Sequence, residues 1–128
     1  QVHYVVNKGN SEEAFEKISN LIISSGSTIN LVVVKYFNGS NTKYFSFPQN
    51  GYAISIDFKK TKKVKLLARD IIDTVISFKG RVYLAKDKSL NKEQFSEIFN
   101  KSEFEEIVKK YNKTMKFRSD ASKRYGLN

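Results

Sequence analysis

The chain has 128 residues, a length typical of a single domain that folds without disulfides or structural metals. It has no cysteine and one histidine, which excludes a thiol nucleophile, a disulfide framework and a cysteine-based zinc site, and no metal site is predicted. The formal net charge of +10 favours anionic partners, but the lysines are scattered, so a solvated basic surface and a nucleic-acid interface both remain open.

No apolar run approaches the roughly 18 residues that a membrane-spanning helix needs, and no basic-then-apolar signal peptide opens the sequence. The chain begins instead with an alternating pattern at residues 1–6, and it has no initiator methionine. We therefore expect residues 1–128 to be one domain cut from a longer protein.

The first half of the chain predicts several strands and one helix. Four segments have the alternating or β-branched composition of strands: 1–6, 28–37, 43–47 and 52–58. The run 28–37 is almost continuously apolar, which is typical of a central strand covered on both faces. A helix is expected to begin at Asn10 or Ser11 and to end at Gly26.

The second half predicts a long helix, a strand and two short helices. Apolar residues at helical spacing mark residues 61–78 as the longest amphipathic helix. The segment 80–87 has a strand pattern that ends on Lys86 and Asp87, and Asp87 is expected to be a structural partner. Capping-box spacings at 91–94 and 102–105 predict two helix starts. The basic tail that follows is only weakly periodic and is expected to be frayed.

The order of elements, β-α-β-(β)-β-α-β, predicts an α+β fold. We expect a ferredoxin-like antiparallel sheet with two long helices on one face, followed by a C-terminal helical appendage over residues 88–128.

Alternation along the strands assigns their side chains to faces. The apolar sides of the first and last clean strands should meet the helices, which leaves five residues on the helix-free face: Gln1, His3, Ala53, Ser55 and Asp57. The run 28–37 is apolar on both sides and cannot be oriented this way. If Lys35 lies opposite the helices, Leu31 and Val33 form an apolar floor on the same face. That floor fits a ligand site, a domain interface or a solvated surface.

Six short motifs resemble, in order and spacing, the C-terminal half of FAD-linked oxidases of the vanillyl-alcohol-oxidase-like superfamily, in the branch of the decaprenylphosphoryl-β-D-ribose oxidases. They are residues 1–6, 34–37, 46–52, 56–58, 80–87, and 117–120 with 123–124. The resemblance implies that this chain is the substrate or cap domain, which closes over FAD bound by an N-terminal domain of the same protein. FAD is therefore not expected in the isolated chain, which should also be inactive.

The resemblance also implies the reaction and the residues that serve it. A secondary alcohol of a sugar or sugar-phosphate-type substrate would be oxidised by hydride transfer to the flavin. Lys86 would reach the flavin and the substrate, and the position held by His3 would line the pocket. The chemistry of an imidazole would in addition let His3 accept or relay the hydroxyl proton. The substrate would be lined by six further residues: Gln1, Lys35, Leu31, Val33, Ala53 and Ser55. The implied location is cytoplasmic or peripheral to a membrane, in a bacterial-type cell.

Three of these positions depart from the pattern of the branch. A Gln, an Asn and a Cys are expected where this chain has His3, Ala53 and Ser55, so a changed substrate is expected. Two alternatives from other classes remain. One is a structural or oligomerisation domain. The other is an RNA-binding module, because residues 79–84 resemble the RNP1 segment of RNA-recognition motifs. That segment follows the second long helix instead of preceding it, so no nucleic-acid partner is predicted.

Overall fold

The computed structural model describes residues 1–41, 43–86 and 88–127. These residues form a four-stranded antiparallel sheet and five α-helices. The strands are β1 (Val2–Asn7), β2 (Ile29–Phe37), β3 (Gly51–Phe58) and β4 (Arg81–Val82). The helices are α1 (Ser11–Ser25), α2 (Lys62–Ser77), α3 (Lys92–Ile98), α4 (Ser102–Tyr111) and α5 (Asp120–Tyr125). The strand order β2-β3-β1-β4 confirms the predicted ferredoxin-like fold.

The main core lies between the sheet and the pair of helices α1 and α2. Alternate residues of β1 and β3 enter it, as the parity of the sequence predicts: Val2, Tyr4, Val6, Ile54, Ile56 and Phe58. The helices supply Ala14, Ile18, Leu67, Ala68, Ile71 and Val75. Full burial of one such Val, Leu, Ile or Phe side chain contributes roughly 1.5–3 kcal/mol, so this cluster is the main source of stability.

The helix ends follow the predicted signals in most places. The α1 helix ends at Gly26, whose φ of 61° is a left-handed conformation that glycine adopts without strain. The Thr61 side chain accepts a hydrogen bond from the Val64 amide and so caps α2. Lys63, in the first turn of α2, donates to the Ser25 carbonyl oxygen at the C-terminal end of α1, at 3.2 Å. No helix within the described ranges is long and apolar enough to cross a membrane.

The prediction that the 28–37 run is a central strand covered on both faces is wrong. The β2 strand lies at the edge of the sheet and pairs only with β3 among the described residues. Every residue from Ile29 to Tyr36 is exposed, because α1 and α2 pack over β1 and β3 and do not reach β2. The apolar composition of β2 is typical of a buried strand, but the described residues leave its side chains exposed from Ile29 to Tyr36.

Two further strand predictions need correction. Residues 43–47 form turns and irregular structure instead of a strand, and their aromatic side chains pack in two different places. The segment 80–87 forms only the two-residue strand β4, after which Leu84–Lys86 turns into a 3₁₀-helix. Asp87, the expected structural partner, lies outside the described residues.

A second core lies where the helical appendage packs against α2 and β4. Its buried members are Ile72, Val82, Leu90, Phe95, Phe99 and Tyr125. The predicted capping box at Asn91 and Gln94 is present, with both reciprocal hydrogen bonds. The box predicted at 102–105 is not, because Ser102 is already the first helical residue and its amide donates to Asn100.

The tail is ordered, contrary to the expectation of fraying. Ser119 and Ser122 form a capping box at the start of α5. The Tyr125 ring then stacks on Phe95 at 4.2 Å between ring centroids with an interplanar angle of 11°. Lys101 donates to the Tyr125 carbonyl oxygen at 2.6 Å. This helix is therefore stabilised by burial of one ring against a distant helix and not by its own periodicity.

We expect Gly80→Ala to destabilise the domain. A Cβ atom at this position would lie 2.6 Å from the Val5 carbonyl oxygen and 2.7 Å from Cγ1 of Val75, so strand and helix would have to separate. Overpacking of this kind costs roughly 1–3 kcal/mol. Gly9→Ala is the matched control, because its Cβ would meet only Asn7 Oδ1 at an ordinary 3.6 Å. Urea unfolding of the two variants measures the difference, and equal midpoints would contradict the close approach at Gly80.

Candidate functional site

The register of the sheet brings most of the predicted site residues onto one face. In one row across the strands, Val33 pairs with Ser55, and Ser55 pairs with His3. In the next row, Lys35 pairs with Ala53, which pairs with Val5. Residues that pair directly point to the same side, so these side chains all lie on the face opposite α1 and α2. This orientation of Lys35 is the one that the sequence left undecided.

The remaining predicted residues lie at the borders of this face. Leu31 pairs with Asp57 and is exposed in the row beyond Val33. Gln1 precedes β1 and is exposed. Lys86 lies in the 3₁₀-helix that follows β4, and its amide donates to the Tyr83 carbonyl oxygen at 2.9 Å. The Tyr83 amide in turn donates to the His3 carbonyl oxygen at 2.8 Å, which ties this turn to β1.

Part of the helix-free face is covered by the loop between β2 and β3, described over residues 38–41 and 43–50, which we call the β2–β3 loop. Phe47 of this loop packs with Val5 and Ala53, and Phe37 closes the cluster from β2. Ala53 is only 1% exposed as a result. Its side chain is therefore covered by the protein itself in this conformation, and its assignment to a substrate pocket stays a prediction.

Arg81 holds the β2–β3 loop in place. It pairs with Val5 and so lies on the helix-free face. Its Nη1 atom donates to the carbonyl oxygens of Asn41, Ser46 and Pro48 at 2.7, 3.1 and 3.0 Å. Burial lowers the pKa of the Arg81 guanidinium, but an arginine stays charged at neutral pH, and hydrogen bonds from a charged donor are the stronger ones.

The role of Arg81 was missed at the level of sequence. The only available signal was an arginine inside an apolar strand pattern in a chain whose basic residues are mostly lysine. Phe47 was also missed, because loop residues have no periodicity from which to predict what they cover.

The His3 imidazole is packed between two aromatic rings. Its ring centroid lies 5.0 Å from that of Phe47 and 5.1 Å from that of Tyr83, both in edge-to-face geometry. The Phe47 and Tyr83 rings are themselves 5.1 Å apart. The three rings form a compact cluster that fixes the position of the imidazole while leaving the ring partly exposed.

Burial and two neighbouring lysines keep His3 neutral. Burial is the main cause that lowers the pKa of His3 below its usual 6.5, and the positive charges of Lys35 and Lys86 lower it further. His3 therefore lies within electrostatic reach of both ammonium groups. No ion pair engages Lys35 or Lys86 within the described part of the chain, and both are exposed.

This arrangement suits an anionic or electron-rich ligand. Lys35 borders the apolar surface formed by Leu31 and Val33 on β2, while His3 lies on β1 and within electrostatic reach of both Lys35 and Lys86. Nothing here suits a metal: the described ranges contain no cluster of three or more His, Cys, Asp or Glu side chains. A separate cavity lies on the far side of Arg81, lined by Tyr44, Ser46, Ile98, Phe99, Asn100 and Glu103, and it includes none of the predicted site residues.

Comparison with known proteins indicates a distant relationship to part of an oxidase. No family model matches the chain. The chain is similar to the decaprenylphosphoryl-β-D-ribose oxidase of Mycolicibacterium smegmatis, with 29% identity over 119 residues. The alignment covers 90% of this chain but only 26% of that protein, so the chain spans about a quarter of the relative's length.

We expect Arg81→Gln to raise the pKa of His3 toward 6.5. Loss of the charged donor releases the β2–β3 loop, and with it Phe47, so the imidazole becomes better solvated. NMR titration of the single histidine measures this directly. Arg69→Gln, on an exposed position of α2, is the control and should leave the titration unchanged. An unaltered His3 pKa in a folded Arg81→Gln variant would show that the loop does not shield the ring.

We also expect a histidine contribution to the pH dependence of stability. The His3 pKa is lower in the folded state than its unfolded value of about 6.5, so the unfolded chain binds the proton more readily. The free energy of unfolding should therefore fall as the pH decreases through 6.5 toward the folded-state pKa. His3→Gln should remove this component, which urea unfolding between neutral and mildly acidic pH can measure. Parallel pH profiles for the two proteins would contradict the shift.

Proposed function

We propose that this chain is the substrate-binding cap domain of an FAD-dependent oxidase. The oxidase would convert a secondary alcohol of a sugar or sugar-phosphate-type substrate to a ketone. The observation that carries the proposal is the meeting of His3, Lys35 and Lys86 around one helix-free face. The similarity to part of an oxidase supports the same conclusion. Flavin binding would rest mainly with an N-terminal domain of the same protein.

The residues present fit a flavin placed against this face. Bound FAD would accept the hydride, which carries both electrons of the oxidation, while the hydroxyl proton leaves separately. Leu31 and Val33 offer apolar surface to a flat ring system, and Lys86 offers a cation that has no carboxylate partner among the described residues. A fixed positive charge stabilises negative charge that develops beside it, and removing such a group commonly costs about 10²–10³-fold in rate. Lys86 is the group that we assign to this role.

His3 suits the transfer of the hydroxyl proton. A neutral imidazole can accept a proton, whereas an imidazolium cannot, and burial with two nearby ammonium groups favours the neutral form. The same lysines disfavour the protonated product, so His3 would pass the proton on rather than retain it. Phe47 and Tyr83 hold the ring in position for this exchange.

Lys35 and the remaining polar positions would define the substrate. Lys35 lies two strands from His3 and is exposed, which suits contact with a phosphate or another anionic part of the substrate. Gln1 and Ser55 offer neutral hydrogen-bonding groups on the same face. His3, Ala53 and Ser55 replace a Gln, an Asn and a Cys of the resembling enzymes, which is the basis for proposing a different sugar-type substrate.

An RNA-binding function has one observation in its favour, since Phe47 and Tyr83 are aromatic residues on the helix-free face. RNA-recognition motifs, however, stack bases on rings that stand open on the two central strands. Here Ala53 occupies the central strand β3 and is covered by Phe47. The cap domain accounts better for this arrangement, and the structural alternative differs from it in giving Lys86 no catalytic role.

In the full-length oxidase, we expect Lys86→Met to make the bound flavin harder to reduce. Loss of the nearby positive charge should lower the reduction potential by about 60 mV, since a hundredfold effect equals two steps of about 30 mV for a two-electron couple. A reductive dye titration gives this value without knowledge of the substrate. Turnover of sugar alcohols should fall by about 10²–10³-fold with flavin still bound.

Lys109→Met, on an exposed position of α4, is the control for the loss of one positive charge. It should leave both the potential and the turnover unchanged. If Lys86→Met retains flavin, potential and turnover equal to those of the control, Lys86 has no catalytic part and the domain would be structural only.

A further inference from the structure

The β2 strand is exposed on three sides. On the helix-free face Leu31 is 55% exposed. On the opposite face Val32 and Val34 are 45% and 56% exposed, because α1 and α2 do not extend over this strand. The outer edge pairs with no strand in the described part of the chain. Four consecutive apolar residues, 31–34, thus present side chains in both directions and backbone groups at the edge.

Natural edge strands carry features that prevent further pairing. These features include charged residues, proline, strong bulges or a covering element. The outer part of β2 has an irregularity between Ile29 and Leu31 and a lysine at position 35, but residues 31–34 between them are regular and uncharged. A segment of this composition, with high β-propensity and no charge, is typical of a strand that has neighbours on both sides.

We propose that the outer edge of β2 pairs with a further β-strand of the same polypeptide, contributed from outside residues 1–128. This inference rests on the proposed function, because it requires that the chain be part of a longer oxidase. In the full-length protein β2 would then be an inner strand, and the sheet would continue beyond the four strands described.

Two observations favour a strand of the same polypeptide over other occupants. The relative extends well beyond the aligned segment, which is 26% of its length, so such an oxidase contains ample further chain. A strand also satisfies the backbone groups of the edge, which a ligand on one face cannot do, and the elements connected to it can cover the face of Val32 and Val34 while the helix-free face stays open to the ligand. A second copy of this chain is disfavoured by charge, because it would bring together two domains of formal charge +10.

The added strand would bear directly on the candidate site. Leu31, Val33 and Lys35 belong to β2, and their positions relative to His3 depend on the rigidity of this strand. Pairing on both sides would hold these three residues in a fixed wall, whereas a free edge strand can bend away from its neighbour.

Residue-resolved amide hydrogen exchange on the full-length protein tests the pairing. At a free edge, alternate amides of β2 point to solvent and exchange fast, while those bonded to β3 exchange slowly. We expect both sets to be slow, with the outward set protected by about tenfold or more beyond exposed amides, which corresponds to about 1.4 kcal/mol. Fast exchange of the outward set would overturn the proposal. Protection that appears only as the protein concentration rises would assign the edge to a second copy and would also overturn it.

Substitution provides an independent test. Val34→Lys in the full-length protein should lower the thermal midpoint clearly if the strand is covered, because a buried unpaired charge is costly. Asn20→Lys, which adds the same charge at an exposed position of α1, should have little effect. Equal midpoints for the two variants would overturn the proposal. A protein that retains flavin but has a free β2 edge would refute this inference alone, whereas a protected β2 in a protein without flavin would refute the proposed function alone.

Discussion

The guanidinium of Arg81 donates to three carbonyl oxygens of the β2–β3 loop, and this contact holds the loop between the sheet and the helical appendage. The loop carries two aromatic residues in opposite directions. Phe47 packs on the sheet against His3 and Ala53, and Phe45 packs among the helices of the appendage, 5.0 Å from Phe95 between ring centroids. One half-buried cation on β4 therefore holds a loop whose rings pack on both the sheet and the appendage.

The fold was largely predictable from the sequence because its signals are local. Alternation in β1 and β3, helical spacing in α2 and the capping box at Asn91 all act over a few positions, and each was confirmed, whereas the capping box predicted at 102–105 was wrong. The failures came from long-range packing. The composition of β2 indicates burial but not where the covering residues lie. Likewise, the α5 helix depends on Tyr125 meeting Phe95, thirty positions away, and nothing in the periodicity of the tail reports that contact.

The candidate site, like the fold, was predictable where local signals decide and not where long-range packing decides. Strand parity placed Gln1, His3, Ala53 and Ser55 together, and the register of β2 against β3 then decided the orientation of Lys35. The roles of these residues came from resemblance and not from parity. Neither parity nor resemblance could predict the shielding of His3, since it comes from Phe47 of a loop that Arg81 holds and from Tyr83 after β4. The low pKa of His3 is thus a property of the folded surroundings and not of the local sequence.

The order of the strands also sets the distance between the backbone segments near Lys35 and Lys86. The β2 and β4 strands stand at opposite ends of the row β2-β3-β1-β4, three inter-strand steps apart. Strands lie about 4.8 Å apart, so the backbones that carry Lys35 and lead to Lys86 are separated by about 14 Å. His3, on β1, lies between these two lysines in the strand order. A molecule that contacts both lysines must bridge β3 and β1, which lie between them in the sheet, and the flexible lysine side chains accommodate a range of lengths around this separation.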